Sequence, residues 1–254
     1  MTIWRPACPC DAGCLPSIVD RVGVWRQSAR VLAAAGVLVL AALRPSAAPR
    51  WARAMLRALG IRWSVIGAPI RPGALLAGNH VSWLDIVVML GIGDNVRMVA
   101  KREVGDWPVI GGLARACGTV FVDRSRPRTL PGTVDAVAGA LRAGYTMQVF
   151  PEGTTTCGAH PVGWRPAFLQ AAIDAGAPIQ RFTLLFSNAS AAFVADESLL
   201  TSLRRVIATR NLTIAVLIDE PQPTNANRRA LAKRLSPRIR HAQASPIANA
   251  ESYL

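Results

Sequence analysis

Acidic residues, lysines and aromatics are all scarce in this sequence. Its 254 residues hold 15 Asp plus Glu against 29 Lys plus Arg, a formal charge of +14, and only Lys101 and Lys233 are lysines. So uneven a balance draws the chain toward anionic partners: nucleic acid, anionic lipid headgroups or phosphorylated substrates. Two tyrosines and six phenylalanines leave no aromatic-basic interleaving of the kind that single-strand binders use, so no nucleic-acid partner is expected. An odd five cysteines exclude a disulfide framework in a chain of this size. Cys8, Cys10 and Cys14 cluster in "CPCDAGC", but no second cluster completes a tetrahedral set, and neither metal nor cofactor is expected. Cys117 and Cys157 read as small apolar residues. No repeat of solenoid period is present, and no G-x-S-x-G elbow surrounds any serine.

What is there is apolar. Hydrophobic residues make up 51% and charged ones 17%, and the mean hydropathy is +0.28 despite the charge. This is the composition of a folded chain with lipid contact rather than of a soluble nucleic-acid-binding domain. The uncharged run "VLAAAGVLVLAAL", Val31 to Leu43, is bracketed by Arg30 and Arg44. As a helix it spans roughly 20 Å, short of the ~30 Å hydrocarbon core. It fits a shallow or re-entrant membrane helix with arginines at the headgroups, or else an ordinary buried helix. A signal peptide would need a shorter segment ahead of the run. The expected location is the cytoplasmic membrane, peripheral or shallowly inserted, with the active site facing the cytosol.

Four regions follow. Residues 1–20 form a flexible arm containing Cys and Pro. Residues 21–59 read as a helical, membrane-associated hairpin turning at "RPSAAPR", with Arg26, Arg30, Arg44, Arg50, Arg53 and Arg57 as its basic rim. Over 60–222 short β-like runs ("WSVIG", "ALLAG", "RMVA", "TVFV", "TMQVF", "PIQRFTLLF", "NLTIAVLI") alternate with helical segments ("WLDIVVMLG", "WPVIGGLARAC", "PGTVDAVAGALRAG"). This alternation predicts an α/β domain, a mainly parallel twisted sheet flanked by helices. Residues 223–254 form a basic C-terminal helix and tail, broken at Pro237 and serving either lipid contact or solvation.

Three clusters sit at predicted strand ends, where α/β sheets place their ligand sites. The first is Asn79-His80-Val81-Ser82-Trp83-Leu84-Asp85. An imidazole can take a proton from an attacking alcohol, and a carboxylate on its other nitrogen fixes the tautomer. On a regular helix five residues place side chains about 140° apart, so contact requires His80 in the preceding loop with Asp85 reaching back. The second cluster, "GTVFVDR", ends in Asp123-Arg124. Its guanidinium either grips a phosphate or pairs with a neighbour at the surface. The third, "VFPEGTTT", offers Glu152, Gly153 and Thr154 at the end of an apolar strand.

In this order the clusters resemble the glycerophospholipid acyltransferase superfamily, in particular the lysophosphatidic acid (1-acyl-sn-glycerol-3-phosphate) acyltransferases. The resemblance spans roughly residues 60 to 220. The N-H-x4-D block falls at residues 79–85, the strand ending in arginine at Gly118 to Arg124, and F-P-E-G-T at Phe150 to Thr154. It implies that His80 is the base and Asp85 its orienting acid. It further implies that Arg124 and Lys101 bind the acceptor phosphate, while Glu152, Gly153 and Thr154 shape the acceptor site. The implied reaction moves a fatty acyl group from acyl-CoA or acyl-carrier protein to the free hydroxyl of 1-acyl-sn-glycerol-3-phosphate, giving phosphatidic acid for phospholipid biosynthesis. The implied partners are a lysophospholipid acceptor, the thioester donor and an anionic membrane surface. In a fourth block Arg181 stands where a second proline is common, which leaves a lyso-ornithine lipid, glycerol phosphate or glycolipid acceptor open. A non-catalytic basic protein that binds membrane or nucleic acid is the reading from another class.

Overall fold

A computed structural model of the chain describes residues 10–17, 19–159, 162–194, 197–225 and 227–236. Strands β1 (Arg62–Gly67), β2 (Leu75–Gly78), β3 (Val96–Lys101), β4 (Val120–Val122), β5 (Thr146–Val149), β6 (Ile179–Phe186) and β7 (Thr213–Ile218) coincide with the predicted β-like runs. They form one seven-stranded sheet in the order β1-β7-β6-β2-β5-β3-β4. Neighbours pair in parallel except β6 and β7, which are antiparallel. The mainly parallel α/β sheet is therefore present. The carboxyl ends of β2, β5, β3 and β4 open on a single rim.

Side chains alternate between the two faces, as the pleat requires. On β2, Leu75 enters a cluster with Met147, Val149, Leu169 and Ile179. Leu76 enters the opposite cluster with Leu56, Leu84, Met89, Phe182 and Val216. Burial on both faces explains why the central strands are apolar without interruption.

The helices are α1 (Val24–Leu43), α2 (Ala48–Ala58), α3 (Leu84–Ile92), α4 (Arg102–Gly105), α5 (Ile110–Ala116), α6 (Leu130–Arg142), α7 (Ala167–Ala175), α8 (Leu199–Ala208) and α9 (Arg228–Leu235). Sequence patterning did not anticipate α4, α7 or α8. Helix α9 is more than a basic tail: Leu231, Ala232 and Leu235 are buried in the core cluster that also holds α7 residues. Pro237 and the tail beyond it lie outside the described residues, as does Cys8.

The helical hairpin differs from its sequence reading in two respects. Helix α1 begins at Val24, inside the 21–59 helical region, so the uncharged run Val31–Leu43 is only part of it. Its 20 residues reach about 30 Å rather than the roughly 20 Å of the run alone. It is long and apolar enough to cross a membrane, with a mean hydropathy of 1.4 over its most apolar window. Ala41 is its one buried residue, while Trp25, Leu32, Val39, Leu40 and Leu43 are exposed. The second difference concerns the basic rim. Arg30 Nη1 donates to the carbonyls of Ile207 (2.7 Å) and Thr209 (2.8 Å), capping the carboxyl end of α8. Arg53 Nε donates to the carbonyl of Gly91 (2.7 Å) in the last turn of α3. Both arginines tie the hairpin to the α/β core.

Candidate active site

The loop after β2 builds the first half of the site. His80 leaves the strand before α3 begins, and Asp85 lies in the first turn of that helix, which is the reach-back that the five-residue spacing demands. Asp85 Oδ2 lies 2.8 Å from His80 Nδ1 and also accepts from the backbone N–H groups of Val81 (2.6 Å) and Ser82 (2.9 Å). Three donors on one oxygen, at a helix N-terminus, hold the carboxylate in place. Its other oxygen, Oδ1, is buried without a partner. Asp85 is fully buried, whereas the imidazole keeps 18% of its surface open. Nε2 of His80 makes no hydrogen bond among the described residues. An imidazole fixed through Nδ1 with Nε2 directed outward is arranged to accept a proton from a bound hydroxyl. Ser82 is fully buried and its Oγ accepts from the Leu84 N–H at 3.3 Å, which leaves it unsuited to nucleophilic attack.

The parallel pairing of Ala77 with Val149 brings the end of β5 beside that loop. Phe150 stacks on the His80 ring, centroids 3.9 Å apart and planes within 9°. Phe182 from β6 meets Phe150 edge-on at 6.0 Å. Room for Phe182 exists because residue 78 is glycine: a Cβ there would lie 2.4 Å from the Phe182 ring. Asn79 then locks the loop to β6, its amide donating to the Leu184 carbonyl (2.9 Å) and its Oδ1 accepting from the Leu184 N–H (2.7 Å).

Glu152 is buried, and its Oε2 accepts from the His80 backbone N–H at 3.1 Å. Burial pushes its carboxyl up to about 8; the His80 N–H opposes that shift and the Asp85 charge adds to it. Gly153 takes φ +75°, and a Cβ there would stand 3.2 Å from Arg165 Cδ and Nε. The glycine therefore serves both the turn and the arginine's passage. Thr154 follows in the same turn. Arg165 was not singled out from the sequence. Its only local signal is "GWRP" ahead of α7, while its backbone N–H donates to the Pro151 carbonyl at 2.8 Å.

Arg124 follows β4 on the same rim. Its neighbour Asp123 pairs with Arg102 (3.2 Å) and Arg126 (3.7 Å) instead, and Arg124 forms no ion pair among the described residues. Burial lowers the Arg124 pKa from its ordinary value; Glu103 opposes that shift and the nearby charge of Arg165 reinforces it. Arg124 is thus near enough to feel the charge of Arg165, which itself passes Gly153 of the F-P-E-G-T turn. Lys101, at the end of β3, is exposed with Nζ 5.6 Å from the Trp107 ring centroid.

Arg181 does not join this cluster. Its Nε bonds Asp219 Oδ2 at 2.6 Å, and it lies on the opposite sheet face from its neighbour Phe182, which supports His80 through Phe150. The proline-to-arginine departure is accommodated by an ion pair away from the imidazole. Cys157 departs from its reading as an isolated apolar residue. Its sulfur and those of Cys10 and Cys14 all lie within 4.8 Å of one another, so the chain does complete a three-thiol cluster, drawn from two distant segments.

A buried carboxylate bonded to an imidazole, with two arginines on the same rim of a mainly parallel sheet, gives this α/β protein a candidate site at the strand ends. Comparison with known proteins gives the family and the fold. A family profile described as Acyltransferase matches residues 62–184. A 1-acyl-sn-glycerol-3-phosphate acyltransferase of Neisseria meningitidis serogroup B is 36% identical over 171 residues, 65% of this chain and 67% of that protein. A lyso-ornithine lipid O-acyltransferase of Pseudomonas aeruginosa is 30% identical over 202 residues, 75% of each chain. The crystal structure of the 1-acyl-sn-glycerophosphate (LPA) acyltransferase PlsC from Thermotoga maritima shares the fold, with a TM-score of 0.62 and 16% identity over 84% of this chain and 92% of that one. This chain belongs to the acyltransferase family.

Proposed function

We propose that the chain acylates the free hydroxyl of 1-acyl-sn-glycerol-3-phosphate, giving phosphatidic acid. In this reading Nε2 of His80 takes the hydroxyl proton as the oxygen attacks the thioester carbonyl of acyl-CoA or acyl-carrier protein. The tetrahedral intermediate collapses by breaking the carbon-sulfur bond, and the imidazolium returns its proton to the departing thiolate. Asp85 keeps Nδ1–H directed at itself and stabilises the imidazolium, while Phe150 holds the ring plane. Arg124 and Arg165 bind the acceptor phosphate with Lys101 assisting. Glu152, Gly153 and Thr154 shape the turn beneath it.

The observation that carries this acceptor is that Arg124 feels the charge of Arg165 and, although Glu103 lies near enough to oppose its desolvation, forms no ion pair among the described residues. Two like charges in a desolvated region repel, and a phosphate relieves that repulsion with bidentate contacts that one carboxylate cannot duplicate for both. A lyso-ornithine lipid is the second reading, supported by the Pseudomonas relative. Its headgroup carries one carboxylate and one ammonium, a poorer match to two guanidinium groups.

We also propose a division of labour within the chain, with 60–222 as the catalytic unit and 21–59 as the membrane-docking unit. The outer face of α1 presents Trp25, Leu32, Val39, Leu40 and Leu43. This face suits burial at the headgroup-acyl boundary on the cytosolic side, while the opposite side stays on the core. The turn between α1 and α2 touches α5, close behind the Lys101 end of β3. A lysolipid would therefore reach the rim without leaving the interface.

The test is to incubate the purified protein with a panel of lysolipids and both donor types, and to identify products by mass spectrometry. Phosphatidic acid as the dominant product, absent with His80→Ala, supports the reading. Acylation confined to lyso-ornithine lipid overturns the acceptor assignment, and undiminished product from His80→Ala overturns the base.

A further inference from the structure

We infer that Cys10, Cys14 and Cys157 form a structural zinc site that fastens the N-terminal segment to the loop behind the active site. The two parts come from distant stretches of the chain. Cys10 precedes and Cys14 ends a short 3-10 turn, Ala12–Cys14, whose entry is fixed by the Asp11 carboxylate accepting from the Gly13 N–H at 2.8 Å. Cys157 lies 147 residues away from Cys10 and donates its backbone N–H to the Cys10 sulfur at 3.3 Å. An N–H aimed at a sulfur stabilises a metal-bound thiolate, a recurring feature around ligated cysteines.

The three sulfurs lie within 4.8 Å of one another. Tetrahedral zinc with Zn–S of about 2.3 Å requires sulfurs about 3.8 Å apart, so closure asks for a movement of about 1 Å or less. An odd number of thiols converging on one point favours a metal over a disulfide, which would strand the third. All-thiolate donor sets select soft, tetrahedral metals, zinc foremost. Binding replaces thiol protons by Zn2+ and releases them to solvent, without change of oxidation state. A closed structural site needs a fourth donor.

The location gives the site its purpose. Thr156, adjacent to Cys157, donates its backbone N–H to the His80 carbonyl at 2.8 Å. Cys10, Leu15 and Cys157 also pack on the small apolar cluster of Val81, Ala192 and Val194. A metal at the three sulfurs therefore braces the His80 loop and the turn after F-P-E-G-T together. The N-terminal segment becomes a clasp on the site's back wall.

The experiment uses the full chain purified without chelator. Elemental analysis should return about one zinc per chain, and cobalt substitution should give the intense thiolate-to-cobalt charge-transfer band of a thiol-rich tetrahedral site. Cys14→Ser and Cys157→Ser should lose the metal, while Cys117→Ser keeps it. Should either serine variant fail to fold, chelator treatment of the unaltered chain provides the same comparison: Tm should fall by about 5 °C and at least three additional thiols should become reactive. His80→Ala must retain its zinc, which separates this site from the proposed acyl transfer. Sub-stoichiometric zinc with no cobalt band, or a disulfide among these cysteines found by peptide mapping, would overturn the proposal.

Discussion

Arg30 and Arg124 carry the same charge in two regions of one molecule, and their surroundings assign them opposite duties. Arg30, on the hairpin, spends its guanidinium on two carbonyls at the end of α8. Arg124, on the sheet rim, is desolvated and feels the opposing charges of Glu103 and Arg165, but forms no ion pair among the described residues. Arg30 is likewise desolvated beside Arg26, so what separates the two is the carbonyl partners. A cation whose donors are satisfied by carbonyls supports the fold. One left partly buried without such partners raises the energy of the empty site, which a bound anion lowers. The difference shows why a formal charge of +14 is a weak guide to function until each charge has been assigned its neighbours.

The largest way to sharpen that contrast is at the dyad itself. His80→Ala should lower kcat by about 10³-fold or more while the melting curve stays cooperative, since the imidazole lies at the partly open rim and Asp85 keeps two backbone donors without it. Steady-state turnover beside a thermal scan checks both halves. The arginine pair should show the next largest effect. Arg124→Ala and Arg165→Ala should each raise the acceptor KM by about 30-fold while leaving the donor KM near its original value. Arg30→Ala should do the reverse, leaving both KM values alone and lowering stability by about 2 kcal/mol in a denaturant titration. An acceptor KM that moves with Arg30 would break the distinction between the two regions.

A smaller effect concerns Glu152. Its folded pKa, about 8, lies above the unfolded value of about 4.3, so the folded state holds a proton that the unfolded chain releases. The stability linked to that proton is present below the unfolded pKa and is lost as pH rises through about 8. Glu152→Gln keeps the acceptor for the His80 N–H and removes the titration. Between about pH 5 and 8 the unaltered protein should lose about 5 °C more in Tm than the variant. Parallel curves would show that Glu152 does not titrate in that interval. The smallest effect belongs to the outer face of α1. Leu32→Asn with Leu40→Asn should reduce flotation with anionic vesicles severalfold without altering turnover on detergent-dispersed acceptor.

Much of this organisation is legible in the residues alone because the sheet is buried on both sides. Its central strands have to be short apolar runs, and "ALLAG" and "TMQVF" announce themselves as such. The His80–Asp85 contact follows from spacing once His80 is placed ahead of the helix. What escaped depends on distant partners. Arg165 has no local motif and gains meaning only because Gly153 lets it approach the F-P-E-G-T turn. The membrane-crossing length of α1 was hidden because Arg26 and Arg30 in its first turns limited the uncharged run to Val31–Leu43. The charge of Arg30 is tolerated there because α8, far along the chain, supplies carbonyls for it. Cys157 meets Cys10 across 147 residues, a separation over which no spacing rule operates.

The most direct measurement compares kcat/KM for lysophosphatidic acid with that for monoacylglycerol, which lacks the phosphate, in the unaltered chain and in the Arg124→Ala, Arg165→Ala double variant. If the imidazole and the two guanidinium groups serve one cleft, the unaltered protein prefers the phosphorylated acceptor by about 100-fold or more, and the double variant loses that preference while acylating monoacylglycerol at an undiminished rate. A preference that survives loss of both arginines would mean that the phosphate is held elsewhere and that this rim is not where base and acceptor meet.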